Sequence, residues 1–320
     1  MYKGMGPEVR MIRMGVIGVG SMGKNHVRIY SEMAGVELVG ISDVNKELVE
    51  GLARTFKTTP YTDYKKLLAQ GLDAVSIVVP TKMHAAVTLD ALNAGANVLV
   101  EKPIADTLEN ADLMINTAKE KGLMLMVGHI ERFNPAVIKL KQIIDAGLLG
   151  KVVSISTRRV GAYNPRIRDV GVILDIGVHD VDIISYLYGK KIDQVYTIAG
   201  ANIHSSEDHA SIHLRFDHDY SGLVDVNWLT PHKVRTLTAV GVAGVAYLDY
   251  IKQSLVLHDK EWVREAKVEP KEPLLNELEY FVRCIVNKEE THPNGEDGKH
   301  ALEACMAAIT SYHEEKVIDI

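Results

Sequence analysis

Met14-Gly15-Val16-Ile17-Gly18-Val19-Gly20-Ser21-Met22-Gly23 is a short apolar run that breaks into glycines spaced G-x-G-x-x-G. The run reads as a buried strand, and residues 24–33 after it carry apolar side chains at helical spacing. Each glycine has its own task at such a strand-to-helix turn. Gly18 permits the tight turn, Gly20 lets the backbone approach a pyrophosphate, and Gly23 lets helix and strand pack closely. Ser21 and Met22 lie in the same turn, where the helix N-terminus offers N–H groups to phosphates. The next apolar run, residues 36–42, ends at Asp43, twenty residues after Gly23. A carboxylate there can accept hydrogen bonds from ribose hydroxyls. It would repel a 2′-phosphate, so the expected cofactor is NAD, with Lys46 close enough to leave NADP open.

The alternation continues along the chain. Residues 46–55 have helical spacing, 74–79 form an apolar run, 84–94 a helix, 97–100 a strand, 108–121 a helix and 124–127 a strand. Strands that are apolar throughout, separated by helices, predict a parallel sheet covered on both faces. The expected fold of residues 11–128 is therefore a doubly wound α/β domain binding NAD(P). Ligands of such sheets lie beyond the carboxyl ends of the strands. That rule adds Pro80, Thr81 and His84, after the run 74–79, and Glu101 and Lys102, after the strand 97–100, to the expected cofactor contacts.

Beyond Gly128 the pattern changes. A helix over 136–146 is followed by longer alternating runs at 152–160, 195–203, 210–216, 222–228, 235–240, 245–249 and 254–258. Alternation predicts a largely antiparallel sheet with one helix-covered face. A helix over 173–188 interrupts the strands, and helices over 274–286 and 297–315 end the chain. Residues 129–320 are thus expected to form a second α/β domain with an open sheet, serving substrate binding and oligomerisation.

Composition narrows the function. Apolar residues make up 47% and charged residues 24% of 320 positions, which is ordinary for a folded, soluble protein. A formal net charge of −6 is not the footprint of a nucleic-acid binder. No apolar run approaches the roughly 20 residues of a membrane span. Residues 1–10 lack a signal-peptide core and read as an extension, so the expected location is cytoplasmic. Cys284 and Cys305 fall in amphipathic stretches and read as buried thiols.

Two groups carry candidate chemistry. Lys102, stiffened by Pro103, brings an ammonium group to the sheet edge where a nicotinamide would lie. Asp175 and His179 stand four apart on one predicted helix and share a face. Oxidising an alcohol needs a base for the hydroxyl proton, and an imidazole oriented by a carboxylate suits that task. By spacing alone, Asp175 also reads as a helix N-terminal acid and His179 as a core histidine. Asp180 points to another helix face. His209 and His213 are separated by roughly 13 Å on a strand, so no metal site is expected.

G-x-G-x-x-G, then Glu101-Lys102-Pro103, then Gly171 leading Asp175-Ile176-Gly177-Val178-His179 resembles the glucose–fructose oxidoreductase / inositol dehydrogenase (Gfo/Idh/MocA) family. The resemblance runs from Met11 through essentially the whole chain, although the family's glycine run before the aspartate is reduced to Gly171. It implies a Rossmann domain followed by an open-sheet domain. It also implies catalysis by Lys102, Asp175 and His179, with His179 as base and the other two orienting substrate hydroxyls. Gly128-His129-Ile130-Glu131-Arg132-Phe133-Asn134-Pro135, Arg159-Val160-Gly161 and Pro165-Arg166-Ile167-Arg168-Asp169-Val170-Gly171 are similar to a branch of nucleotide-sugar 3-dehydrogenases that oxidise UDP-N-acetylglucosamine. This implies a substrate site that includes Arg132, Asn134 and Arg166, since arginines suit a diphosphate. The competing structural reading is that Arg132 and Arg166 make ion pairs. The expected activity is oxidation of the 3-hydroxyl of UDP-N-acetylglucosamine by a homodimer or homotetramer, the alternatives being an inositol or free-aldose dehydrogenase and a non-catalytic NAD-binding sensor.

Overall fold

The computed structural model describes residues 11–163 and 170–320. The chain divides into two compact units, one running to Gly128 and including Glu277–Glu296, the other comprising His129–Asn276 and Asp297–Ile320.

The first unit alternates strand and helix: β1 (Ile12–Ile17), α1 (Gly23–Glu32), β2 (Val36–Ser42), α2 (Lys46–Phe56), β3 (Thr59–Tyr61), α3 (Tyr64–Leu68), β4 (Ala74–Ile77), α4 (His84–Asn93), β5 (Asn97–Glu101), α5 (Leu108–Lys121) and β6 (Leu125–Gly128). All strands are parallel, in the order β3-β2-β1-β4-β5-β6. Met14, Val16, Ile41, Val75, Ile77, Val98, Leu99 and Val100 are fully buried, as expected of strands covered on both faces. Chain direction across the sheet reverses between β1 and β4, and the loops after these strands meet there. Local signals set the helix starts: Asn45 caps α2 through Leu48 N–H (3.1 Å) and Thr107 caps α5 through Asn110 N–H (3.1 Å). The edge pair β3 and α3 escapes a periodicity reading because three and five residues are too few to show one, and β3 holds Pro60 at its centre.

In the second unit α6 (Pro135–Asp145) leads to β7 (Val152–Ala162). One turn of π-helix, Ile173–Gly177, runs into α7 (Val178–Tyr188), and β8 (Gln194–Gly200), β9 (His209–Phe216), β10 (Tyr220–Asn227), β11 (Leu229–Gly241), β12 (Val245–Asp249), β13 (Ser254–His258) and β14 (Val263–Glu265) follow. The chain closes with α8 (Pro273–Asn287), α9 (Gly295–Glu314) and β15 (Ile318–Asp319). Nine strands lie in the order β14-β13-β12-β11-β7-β10-β9-β8-β15. Every neighbouring pair is antiparallel except β7 and β10. Ile155, Ile212, Leu214, Val224, Val226 and Leu237 point to one face and form a single core with residues of α6, α7 and α9. On the opposite face Tyr196, Ile198 and Tyr247 are exposed. The sheet is thus the open, largely antiparallel one that the alternation predicts.

The segment Glu277–Glu296 returns to the first unit, which a single break at Gly128 leaves out. Val127 N–H donates to Pro293 O (3.2 Å), and Met126 bridges Asn294. An amphipathic period shows that α8 has a buried face, not which core buries it. No helix among the described residues is long and apolar enough to cross a membrane.

Candidate active site

The first unit presents a cradle made of main chain. Gly18 has φ +86°, and a Cβ added there would lie 2.4 Å from Val78 O. A Cβ on Gly23 would lie 1.9 Å from Gly18 O, so both positions exclude a side chain. Gly20 differs, because nothing lies within 4 Å of the Cβ it lacks. That open space over an exposed backbone is the room a pyrophosphate needs. α1 begins behind it with no side-chain cap from Met22, which leaves the helix N-terminus to a ligand. Asp43 follows β2. Its carboxylate accepts Val19 N–H (2.9 Å) on one oxygen and Asn45 N–H (2.9 Å) on the other. These bonds fix the carboxylate beside the glycine turn, and its remaining lone pairs suit ribose hydroxyls. The Lys46 ammonium lies 3.8 Å from Glu50, which supplies it with an anion of its own.

Pro80 and Thr81 follow β4 at the same edge, Pro80 exposed and Thr81 half-buried. His84 is buried. Its ring nitrogens face Pro103 O (2.8 Å) and Val79 O (2.9 Å), so the ring joins the loops after β4 and β5 rather than facing solvent. Burial lowers its pKa against the opposing pull of both carbonyls. Glu101 likewise turns inward. Its Oε1 lies 3.2 Å from Nε2 of the fully buried His26 on α1. Burial pushes the Glu101 pKa up, but the hydrogen bond and charge of His26, with the charges of Lys102 and His84, hold it below the usual value. His84 and Glu101, expected as cofactor contacts, thus direct their side chains to protein groups beneath the edge. Lys102 is half-buried and follows directly on β5. No local sequence pattern marks His26, because its glutamate partner lies 75 residues away.

In the second unit Asp175 lies in the π turn and His179 in the first turn of α7, both half-buried. The i, i+4 relation therefore crosses a π-to-α junction, a local irregularity often found at functional sites. Around it stands a buried charge network. Arg159 on β7 donates to both Asp180 oxygens (2.8 and 3.1 Å) and to Glu131 Oε1 (2.7 Å). Burial raises the Asp180 pKa, and the Arg159 charge opposes this.

Two expected substrate ligands are taken up elsewhere. Arg132, 9% exposed, donates to both oxygens of Asp182 (3.2, 2.9 and 2.6 Å), lies 3.3 Å from Asp297 and stacks on Tyr186. Asn134 caps α6 through Ala136 N–H (3.1 Å) and donates to Tyr250 O (3.1 Å). Both serve the framework, because a buried guanidinium needs matched anions and a helix start needs an acceptor. Arg166 lies outside the described residues. Arg235 on β11 is half-buried, and its guanidinium lies 3.7 Å from Glu131 Oε1. No motif in the sequence marks it beyond the neighbouring cation Lys233.

Two family models match the chain. "Oxidoreductase family, NAD-binding Rossmann fold" covers residues 12–129, and "GFO/IDH/MocA C-terminal domain" covers residues 137–247. The chain belongs to the Gfo/Idh/MocA family. This family member is 29% identical to the UDP-N-acetylglucosamine 3-dehydrogenase of Acidithiobacillus ferrooxidans over 92% of its own length and 95% of the relative's. It is 28% identical to the scyllo-inositol 2-dehydrogenase (NAD(+)) of Bacillus subtilis, over 94% of each chain. A solved structure of the Acidithiobacillus enzyme superposes with a TM-score of 0.90 at 28% identity, covering 95% of this chain and 98% of that one. The Gfo/Idh/MocA chain is an NAD(P)-dependent dehydrogenase acting on CH–OH groups, among relatives named for sugar and polyol oxidation, and its first unit is the NAD-binding Rossmann domain.

Proposed function

We propose that this protein oxidises the 3-hydroxyl of UDP-N-acetylglucosamine to the 3-keto sugar. Gly18, Gly20, Ser21, Met22, Gly23, Asp43, Pro80 and Thr81 would hold NAD at the sheet edge, with His84 and Glu101 bracing the loops from beneath. When bound, NAD supplies a hydride acceptor. His179 takes the hydroxyl proton as the C–H bond breaks, and Lys102 and Asp175 bind and orient the reacting hydroxyl. The protein works in the cytoplasm, binds substrate through residues 129–320, and associates as a homodimer or homotetramer through the outer sheet face. An apolar face carrying Ile198 at 61% and Tyr247 at 48% exposure favours a covered state.

The observation that carries this reading is the placing of Asp175 and His179 four residues apart across a π-to-α junction, in a chain similar to a UDP-N-acetylglucosamine 3-dehydrogenase over 92% of its length. Similarity to scyllo-inositol 2-dehydrogenase over 94% of the chain supports a second reading, an inositol or free-aldose dehydrogenase. The test is NADH formation from NAD with UDP-N-acetylglucosamine, inositol and glucose in parallel, each with a carbonyl trap because ketone formation is uphill. Absorbance rising with the nucleotide sugar alone is the expected result. Reduction with inositol or glucose but with no UDP-sugar replaces the first reading by the second.

A further inference from the structure

We propose that Lys233 and Arg235 on β11 form an anion-recognition strip that takes the diphosphate of a nucleotide-sugar substrate. The inference rests on the nucleotide-sugar reading and assigns it residues.

The β11–β7 register is irregular before Val234, but Lys233 Cγ lies over Gly161 and Arg235 stands opposite Arg159, two residues away on β7, so both side chains leave the same side of the sheet. The two arginines differ in what neutralises them. Arg159 is 2% exposed and has three short hydrogen bonds to Asp180 and Glu131. Among the described residues Arg235 pairs only with Glu131 Oε1, at 3.7 Å, and that oxygen already accepts from Arg159 at 2.7 Å. Among the described residues no hydrogen bond reaches the Arg235 guanidinium. Half-buried beside a second cation, Arg235 has Glu131, at 3.7 Å, as its ion-pair partner among the described residues. Burial and the Arg159 charge accordingly press its pKa down, while Glu131, Asp180 and Asp175 oppose this.

Lys233 is exposed, and its stem lies over Gly161, where a Cβ would come within 3.4 Å of Lys233 Cγ. Among the described residues it pairs with no carboxylate. A planar guanidinium and a flexible ammonium on one side of a strand suit a diphosphate, which offers several anionic oxygens over a short span. A neutral polyol has no group that needs two cations.

The test uses the full-length enzyme saturated with NAD, and UDP as the probe. Lys233→Ala, Arg235→Lys and Arg235→Gln are compared with wild type by calorimetry for UDP and by steady-state kinetics for UDP-N-acetylglucosamine. Loss of a charge-assisted contact predicts a rise of about tenfold or more in the Kd of UDP and in KM for Arg235→Gln. A rise of a few fold is expected for Lys233→Ala, partial recovery for Arg235→Lys, and little change in kcat throughout. The wild-type Kd should also rise with salt. If the variants bind UDP as wild type does, the strip is overturned while wild-type turnover keeps the nucleotide-sugar reading. If Arg235→Gln fails to fold, the exposed Lys233→Ala decides alone, and an unchanged Kd overturns the proposal. A wild type that binds no UDP and oxidises only neutral polyols or sugar acids overturns both.

Discussion

The cofactor edge of the first unit and the polar network of the second are built by different means. At the edge, main chain shapes the surface: Gly20 lies open, α1 starts uncapped, and Asp43 is tied to the N–H groups of Val19 and Asn45. In the network, side chains satisfy one another, Arg159 with Asp180 and Arg132 with Asp182, pairs 21 and 50 residues apart. A missing Cβ is a local requirement and leaves a local trace in glycine spacing. A matched ion pair is a long-range requirement and leaves none. Arginine-rich strings near a site therefore say less about a ligand than glycine-rich ones do, since a buried arginine must first be neutralised by the protein.

The largest effects should come from side chains that belong to neither scheme. His179→Ala and Lys102→Ala should each lose about 10²–10⁴ in kcat, the usual cost of a general base or an orienting group. NAD affinity by calorimetry should change little, because the glycine turn stays intact. Turnover near wild type in either variant removes that residue from the mechanism. The network is probed by Arg132→Ala, which strands Asp182 and should destabilise the fold by about 3–5 kcal/mol in denaturant unfolding. Unchanged stability with a raised KM would return Arg132 to the substrate and undo the contrast between the two regions.

A smaller effect is expected at Asp43. Removing its carboxylate takes away both the ribose acceptor and the repulsion of a 2′-phosphate, so Asp43→Ala should narrow the kcat/KM preference for NAD over NADP by about tenfold. A wild-type preference for NADP of that size contradicts this role. The smallest effect is a pH slope in the second unit. His300 Nε2 accepts Ile192 N–H (3.0 Å), which needs an unprotonated nitrogen, and burial holds the ring's pKa below the ordinary histidine value of 6.5. The unfolded chain takes up the proton first, so this contribution is full above pH 6.5 and is lost as pH falls below it. His300→Gln should flatten the fall in stability toward acid by at most about 1.4 kcal/mol per pH unit. An identical slope in the variant assigns the pH dependence to other groups.

Much of the fold is legible in the sequence for the same local reason. Buried parallel strands such as Ala74–Ile77 declare themselves by unbroken apolar runs, and β9 and β10 by alternation. What escaped is short or non-local. β3 is three residues long, the π turn at Ile173–Gly177 shares its pattern with α7, and the return of Glu277–Glu296 depends on which core receives Phe281. At the candidate site, the glycine spacing in the sequence corresponds to an open Gly20, with the Asp43 carboxylate beside the turn. Arg132 and Asn134 could not be separated from ligand-binding residues until Asp182, Asp297 and Ala136 were seen to occupy them.

The most direct measurement follows the hydride itself. UDP-N-acetylglucosamine carrying deuterium at C3 is incubated with the protein and NAD, and the nicotinamide is analysed by mass spectrometry, which detects transfer even when little ketone accumulates. The account predicts deuterium in the reduced nicotinamide from the C3-labelled sugar, none from sugar labelled at C2 or C4, and transfer slowed by about 10²–10⁴ with His179→Ala. Absence of label from C3, together with transfer from deuterated inositol or glucose under the same conditions, would contradict it.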